Sequence, residues 1–471
     1  MTEALHPADL AVILSYLAFL IGLGFFRSRD SLRDENDYLL AGRRLTLIPF
    51  TASLVATWYG GILGVGEFTY RYGVSNWVVF GLPYYVFALG FAFLLAERIR
   101  SAELTTIPDR FYEQYGRLPG ILSAVLVMIL ASPAPYILSV GVILRHLFHL
   151  SWPFSLVVAT LLSLVYIYTG GFRSVIRTDL FQFALMFSGF AVILVLSVRQ
   201  FGGLSSLTSE LPPLHLSWHG GLSGQTILVW FFIALWTFVD PGFYQRCAAA
   251  RSGKVARRGI LVSIGFWTLF DFLTLTTGLY ARMTLPHLGD PLMALPTLGQ
   301  EVLPPVLLGL FFAGLLATVM STVDSLGLIS AITFGRDILW RLAPRSGDSV
   351  RWTQMGLLVT AAVSVVLAWA FPSVVKLWYA IGTVAVPGLL IPFLSTFWKE
   401  WKIPAMAAMM AVSAGISLAW LLAGVVQGAQ PPAYPLGIEP FYPGLAASIV
   451  WVVVGRAARS WRRGLHGGRQ T

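Results

Sequence analysis

Charge is scarce in this chain. Of its 471 residues, 11% are Asp, Glu, Lys or Arg, where a soluble domain carries about 25%. That deficit excludes an ordinary water-soluble protein of this length. Cysteine is nearly missing: the single Cys247 excludes an intramolecular disulfide framework and a cysteine-rich metal centre. A nucleotide-binding loop, a cluster of metal-ligating side chains and a nucleophile elbow are missing too. The chain therefore does not read as an enzyme, and no cofactor is expected. The N-terminus lacks a basic segment and carries Thr2, Glu3, His6 and Asp9 instead, which predicts no cleavable signal peptide. The net charge of +10 is spread over loops, apart from a basic C-terminal tail, so nucleic acid is not an expected partner.

What is abundant is apolar sequence. Hydrophobic residues make up 56% of the chain and the mean hydropathy is +0.74. Repeated apolar runs of about 18 residues or more predict an all-α polytopic membrane protein whose main partner is the lipid bilayer. Bounded by charges and Pro/Gly turns, the runs give about thirteen spans. These are 8–26, 46–70, 74–97, 119–145, 152–171, 178–198, 225–243, 260–282, 304–335, 353–371, 374–397, 403–425 and 441–455. With the N-terminus outside and the C-terminus in the cytoplasm, 27 of the 32 Lys and Arg fall in inner loops. The other five (Arg71, Arg145, Arg199, Arg282, Lys376) sit at outer ends. That asymmetry is the positive-inside rule and predicts a cytoplasmic (inner) membrane location. The tail (Arg456, Arg459, Arg462, Arg463, Arg469) reads as a topology anchor near anionic lipid.

Spans 2 and 7 are interrupted. Span 2 holds Gly60, Gly61, Gly64 and Gly66, and span 7 holds Asp240-Pro241-Gly242. Glycine weakens a helix and proline removes a donor. Close packing through small residues explains glycines alone. The placement says more, because each span opens a block of five. Five is odd, so the second block enters the membrane from the opposite side. Interrupted segments at matching places of inverted halves point to a transporter's binding site.

Four stretches resemble the sodium:solute symporter family. They are ASLVATWYGGILGVGEFTYRYG (52–73), YTGGFRSVIRTDLFQ (168–182), DPGFYQRCAAARSGKVARRG (240–259) and LFFAGLLATVMSTVDSLGLISAITFGRDI (310–338). The resemblance covers roughly residues 8–400. It implies a LeuT-type fold, with one helix ahead of two inverted five-helix repeats. The corresponding units are 1–45 (first helix and loop), 46–200 (spans 2–6), 201–400 (spans 7–11) and 401–471 (two further helices and the tail). It also implies sodium-coupled symport of a small organic solute by alternating access. The alternatives are proton coupling in the same fold, or a solute sensor or channel that does not pump.

By the same resemblance, sodium would be held by the Ser321 and Thr322 hydroxyls and by the carbonyls of Thr318, Ala56 and Tyr59. Without the resemblance, hydroxyls in a spanning helix bond back to the carbonyl one turn earlier just as readily. The resemblance also implies a candidate second cation or proton site of Asp179, Asp324 and Ser325, and acids inside spanning helices are costly and default to function. Asp179 also reads as the cap of a helix starting near Thr178. The solute cavity is assigned to Trp58, Gly61, Glu67, Tyr84, Tyr136, Trp236 and Asp240. Glu67 reads equally as an ion-pair partner of Arg71, one turn on. Asp271 lies in mid-span with no motif around it and reads either as a cavity acid or as one paired with a partner. Arg246 reads with its basic neighbours as a loop anchor.

Overall fold

The computed structural model describes residues 5–26, 34–343, 348–398, 401–426 and 433–467, with side chains up to Ala457. The start of the chain (Thr2, Glu3), part of the first expected inner loop and the tail arginines beyond Arg456 lie outside those described side chains. Among the described residues the only β feature is one bridge, Leu45 to Ala250; the rest of the regular structure is helical.

The main helices are α1 (Pro7–Phe25), α2 (Leu47–Trp58), α3 (Ile62–Tyr72), α4 (Leu82–Leu94), α5 (Arg117–Leu130), α6 (Ala134–Phe148), α7 (Trp152–Leu164) and α8 (Ile167–Phe201). They continue as α9 (Gly224–Ile233), α10 (Pro241–Ala249), α11 (Gly253–Thr284), α12 (Leu307–Ile332), α13 (Ser349–Ala370), α14 (Val374–Ser395), α15 (Met406–Val426) and α16 (Phe441–Gly467). Among the described residues, ten helical segments are long and apolar enough to cross a bilayer. The pair α2 and α3, bent by 55°, makes an eleventh. Helix α7 and Phe441–Ala457 are shorter apolar helices. Thirteen residues rise only about 20 Å, against about 30 Å of hydrocarbon.

The core is organised around α12. It is apolar nearly all round, with hydroxyls and one acid set among the apolar residues, and it is buried from Phe311 to Ile332. A helix of that composition belongs inside a bundle. Its most extensive contact is with α8, and α1 and α2 pack on it as well. Asp9 of α1 ties down the start of α12: Oδ1 accepts from the Val306 and Gly309 amides at 2.7 and 2.8 Å. Those donors have no partner inside the helix.

Two local expectations change. Residues 171–177, expected as an inner loop, belong to α8. The polar residues stay helical because they have partners, as in the Arg173–Asp37 ion pair. The chain bends instead at Gly171, where φ is +54° and Tyr38 lies against the backbone. Asp179 is therefore well inside a continuous helix and caps nothing. Span 7 breaks twice. Asp240 caps α10, but α9 also ends at Ile233, and Ala234 and Leu235 lead into a one-turn helix.

Candidate functional site

The break in span 2 is three residues long, Tyr59 to Gly61. Its glycines are required by neighbours from distant sequence. A Cβ on Gly60 would overlap the Thr322 side chain, and one on Gly61 would overlap the indole of Trp378. The turn is thus where α12 and α14 press on the backbone itself.

Thr322 donates its hydroxyl to the Thr57 carbonyl at 2.6 Å, an oxygen near the C-terminus of α2 where helical partners run out. Ser321 donates to Asp179 Oδ1 at 2.6 Å. Thr318 donates back to Gly314 at 2.7 Å. All five residues assigned to sodium, with Ala56 and Tyr59 on the α2 side, are buried. Each of these hydroxyls has given away its only proton and keeps lone pairs for a cation.

The second constellation divides. Asp179 and Ser325 converge, but on a guanidinium. Arg246 is fully buried. Its Nε donates to Ser53 at 3.0 Å; Nη2 donates to Thr57 Oγ1 at 2.6 Å and Ser325 at 2.8 Å. Nη2 also pairs with Asp179 at 3.5 Å, and Nη1 reaches the Gly242 carbonyl at 3.3 Å. One side chain of α10 therefore ties together α2, α8 and α12. Reading Arg246 as a loop anchor was incorrect. The sequence does carry a signal in its next three residues: Cys247, Ala248 and Ala249 are small and apolar, unlike an inner loop. Asp324 takes no part in this cluster. Its Oδ2 accepts from the Tyr166 hydroxyl, and among the described residues Oδ1 has no hydrogen-bond partner.

A cavity of about 110 Å³ borders the break. Trp58, Gly61, Tyr84, Tyr136, Trp236 and Asp240 line it, together with Thr57 and Tyr59. Asp240 has a double role, since its Oδ1 also accepts from the Phe243 amide at 2.9 Å. Glu67 is not among the lining residues. It pairs with Arg71 at 3.1 Å, on a partly exposed face. Glu67→Gln is accordingly expected to cost no more than about 0.5 kcal/mol and to leave uptake unchanged; impaired uptake at normal stability would return Glu67 to the cavity. Sequence reasoning did not assign Trp77, Phe80, Trp230 and Trp378, which also line the cavity, and of the two readings of Asp271 the lining matches the cavity one. Asp271 accepts from Tyr59 at 2.9 Å and from Tyr85.

Known proteins share both the sequence pattern and the architecture. A sequence model described as the sodium:solute symporter family matches residues 38–415. A sodium/mannose cotransporter of Bos taurus is 25% identical over 419 residues, covering 78% of this chain and 69% of the relative. A high-affinity proline transporter of Bacillus subtilis (strain 168) is 27% identical over 244 residues, about half of each chain. Among solved structures, a Na+-coupled sialic acid symporter in a substrate-bound outward-open state superposes with a TM-score of 0.76. It is 18% identical, with 96% of both chains covered, and shares the LeuT-type fold.

Proposed function

The chain belongs to the sodium:solute symporter family, and from that premise we propose that it carries a small organic solute across the membrane together with sodium. The observation that supports this most directly is that one turn serves two sites. Thr322 presses on Gly60 and bonds the Thr57 carbonyl, while Thr57, Tyr59 and Gly61 line the cavity. Sodium sits between the carbonyls of Ala56, Tyr59 and Thr318 and the hydroxyls of Ser321 and Thr322. Hard oxygens of this kind suit the ion. There it fixes α12 against the break and so shapes the cavity wall. A solute in the cavity meets a turn already ordered by the ion, which is a positive coupling between the sites. When α12 separates from the break, both sites open together, and alternating access results.

The cavity limits the solute. Its 110 Å³ is of the order of the cavity of about 150 Å³ that accepts benzene, so the cargo is small. In this reading the N-terminus faces outward across the cytoplasmic membrane, and 46–200 and 201–400 are the two inverted units.

Ser321→Ala and Thr322→Ala are each expected to raise the sodium concentration for half-maximal uptake by about tenfold, the equivalent of about 1.4 kcal/mol. Their unfolding midpoints should stay close to wild type. Unchanged sodium dependence in both variants removes the site assignment. One observation favours proton coupling as a second reading: Asp324 is fully buried, with one oxygen unbonded among the described residues. Uptake into proteoliposomes under separately imposed sodium and pH gradients distinguishes the two, and uptake indifferent to sodium rejects the first.

A further inference from the structure

We propose that the transported solute carries a positively charged nitrogen, and that Asp271 is its counter-ion in the cavity. This names the substrate class for the symport reading and rests on it.

Three charged residues line the cavity: Asp240, Asp271 and Arg246. Arg246 is not available to a solute, because its nitrogens are engaged by Ser53, Thr57, Ser325, Asp179 and the Gly242 carbonyl. Asp240 is compensated by its place at the start of α10, where the helix N-terminus and the Phe243 amide favour an anion. Asp271 has neither kind of compensation. It sits in the middle of α11, and among the described residues no Lys, Arg or His pairs with it. Its contacts are two phenols: Tyr59 donates to Oδ1 and Tyr85 to Oδ2. A carboxylate has about four lone-pair positions, so acceptor capacity remains. An acid inside a spanning bundle without a cation is costly and calls for a partner.

The rest of the wall selects among partners. It is largely aromatic, with Trp58, Trp77, Tyr84, Trp236 and Trp378 among the lining residues. Aromatic faces attract an organic cation, most strongly where water is excluded. The polar groups of the lining are Thr57, Asn76, the ring donors of its Tyr and Trp residues and the charged side chains. A carboxylate solute would need a free cation, and the lining has none. An alkylammonium ion satisfies both the unpaired carboxylate and the aromatic wall, within the volume available.

The test is thermal unfolding of the purified full-length protein in detergent with sodium. The probes are two pairs matched in shape: choline against 3,3-dimethylbutan-1-ol, and benzylammonium against benzyl alcohol. At least one ammonium ion is expected to raise the midpoint at concentrations where its neutral partner does not, since a ligand stabilises the state it binds. Asp271→Asn is expected to weaken that ion by about tenfold or more and to abolish its advantage over the neutral partner. Tyr85→Phe, which keeps the charge and removes one donor, is expected to keep the preference, so a poorly folding Asp271→Asn leaves the test intact. Equal stabilisation by charged and neutral partners, or by neither while sodium alone stabilises, overturns the cation assignment and leaves symport standing. Stabilisation by the ammonium ion with no response to sodium overturns the symport reading instead.

Discussion

Arg246→Ala is expected to destabilise the protein by about 3–5 kcal/mol and to abolish uptake, because it leaves a buried carboxylate without its cation. The geometry gives the reason for so large an effect. Arg246 and Asp179 are both completely buried, 3.5 Å apart. The same guanidinium also holds Ser53 and Thr57 on α2 and Ser325 on α12. Truncation removes the charge and strands those hydroxyls together. Arg246→Lys keeps the charge, but a single ammonium cannot span partners spread over three helices, so it should fold yet transport poorly. The double variant Arg246→Ala with Asp179→Asn should recover part of the lost stability, since neither unpaired charge remains. Unfolding midpoints and uptake in the three variants check this. A wild-type midpoint for Arg246→Ala would show that the pair contributes nothing to the fold.

Gly60→Ala is expected to weaken sodium-dependent uptake by about 5- to 150-fold, the equivalent of about 1–3 kcal/mol of overpacking. One methyl group at this position overlaps Thr322. Either the turn or α12 must move, and both carry proposed sodium ligands. Gly22→Ala is the control. It lies inside α1 and, among the described residues beyond its own helical backbone, no heavy atom comes within 4 Å of the added Cβ, so it should gain up to about 1 kcal/mol of helix propensity and leave uptake unchanged. Sodium titrations of initial uptake rates compare the two. Equal sodium dependence in Gly60→Ala and wild type would mean that the close approach of α12 to the break has no part in ion binding.

Gly60 and Arg246 differ in how much of their role is local. Gly60 was legible because a run of glycines within an apolar span is a local anomaly, and the chain does break there. Arg246 was not, because an arginine at the end of a span looks the same whether it anchors a loop or enters the bundle. Asp324 and Asp179 make the same point. Spacing puts Asp324 on the face of Ser321, but Ser321 bonds Asp179 and Asp324 bonds Tyr166.

By itself, then, the sequence determined the all-helical membrane class, the breaks at Gly60-Gly61 and Asp240-Pro241, and the Ser321-Thr322 pair. Each of these is a property of one segment, fixed by hydropathy and by the backbone limits of Gly and Pro. Only the tertiary structure decided that Arg246 is a buried tie between helices, that Glu67 stays outside the cavity and that Asp271 lines it. Those facts depend on which faces of α2, α3, α8, α10, α11 and α12 meet one another. A crossing joins residues tens to hundreds of positions apart, and no local pattern encodes it.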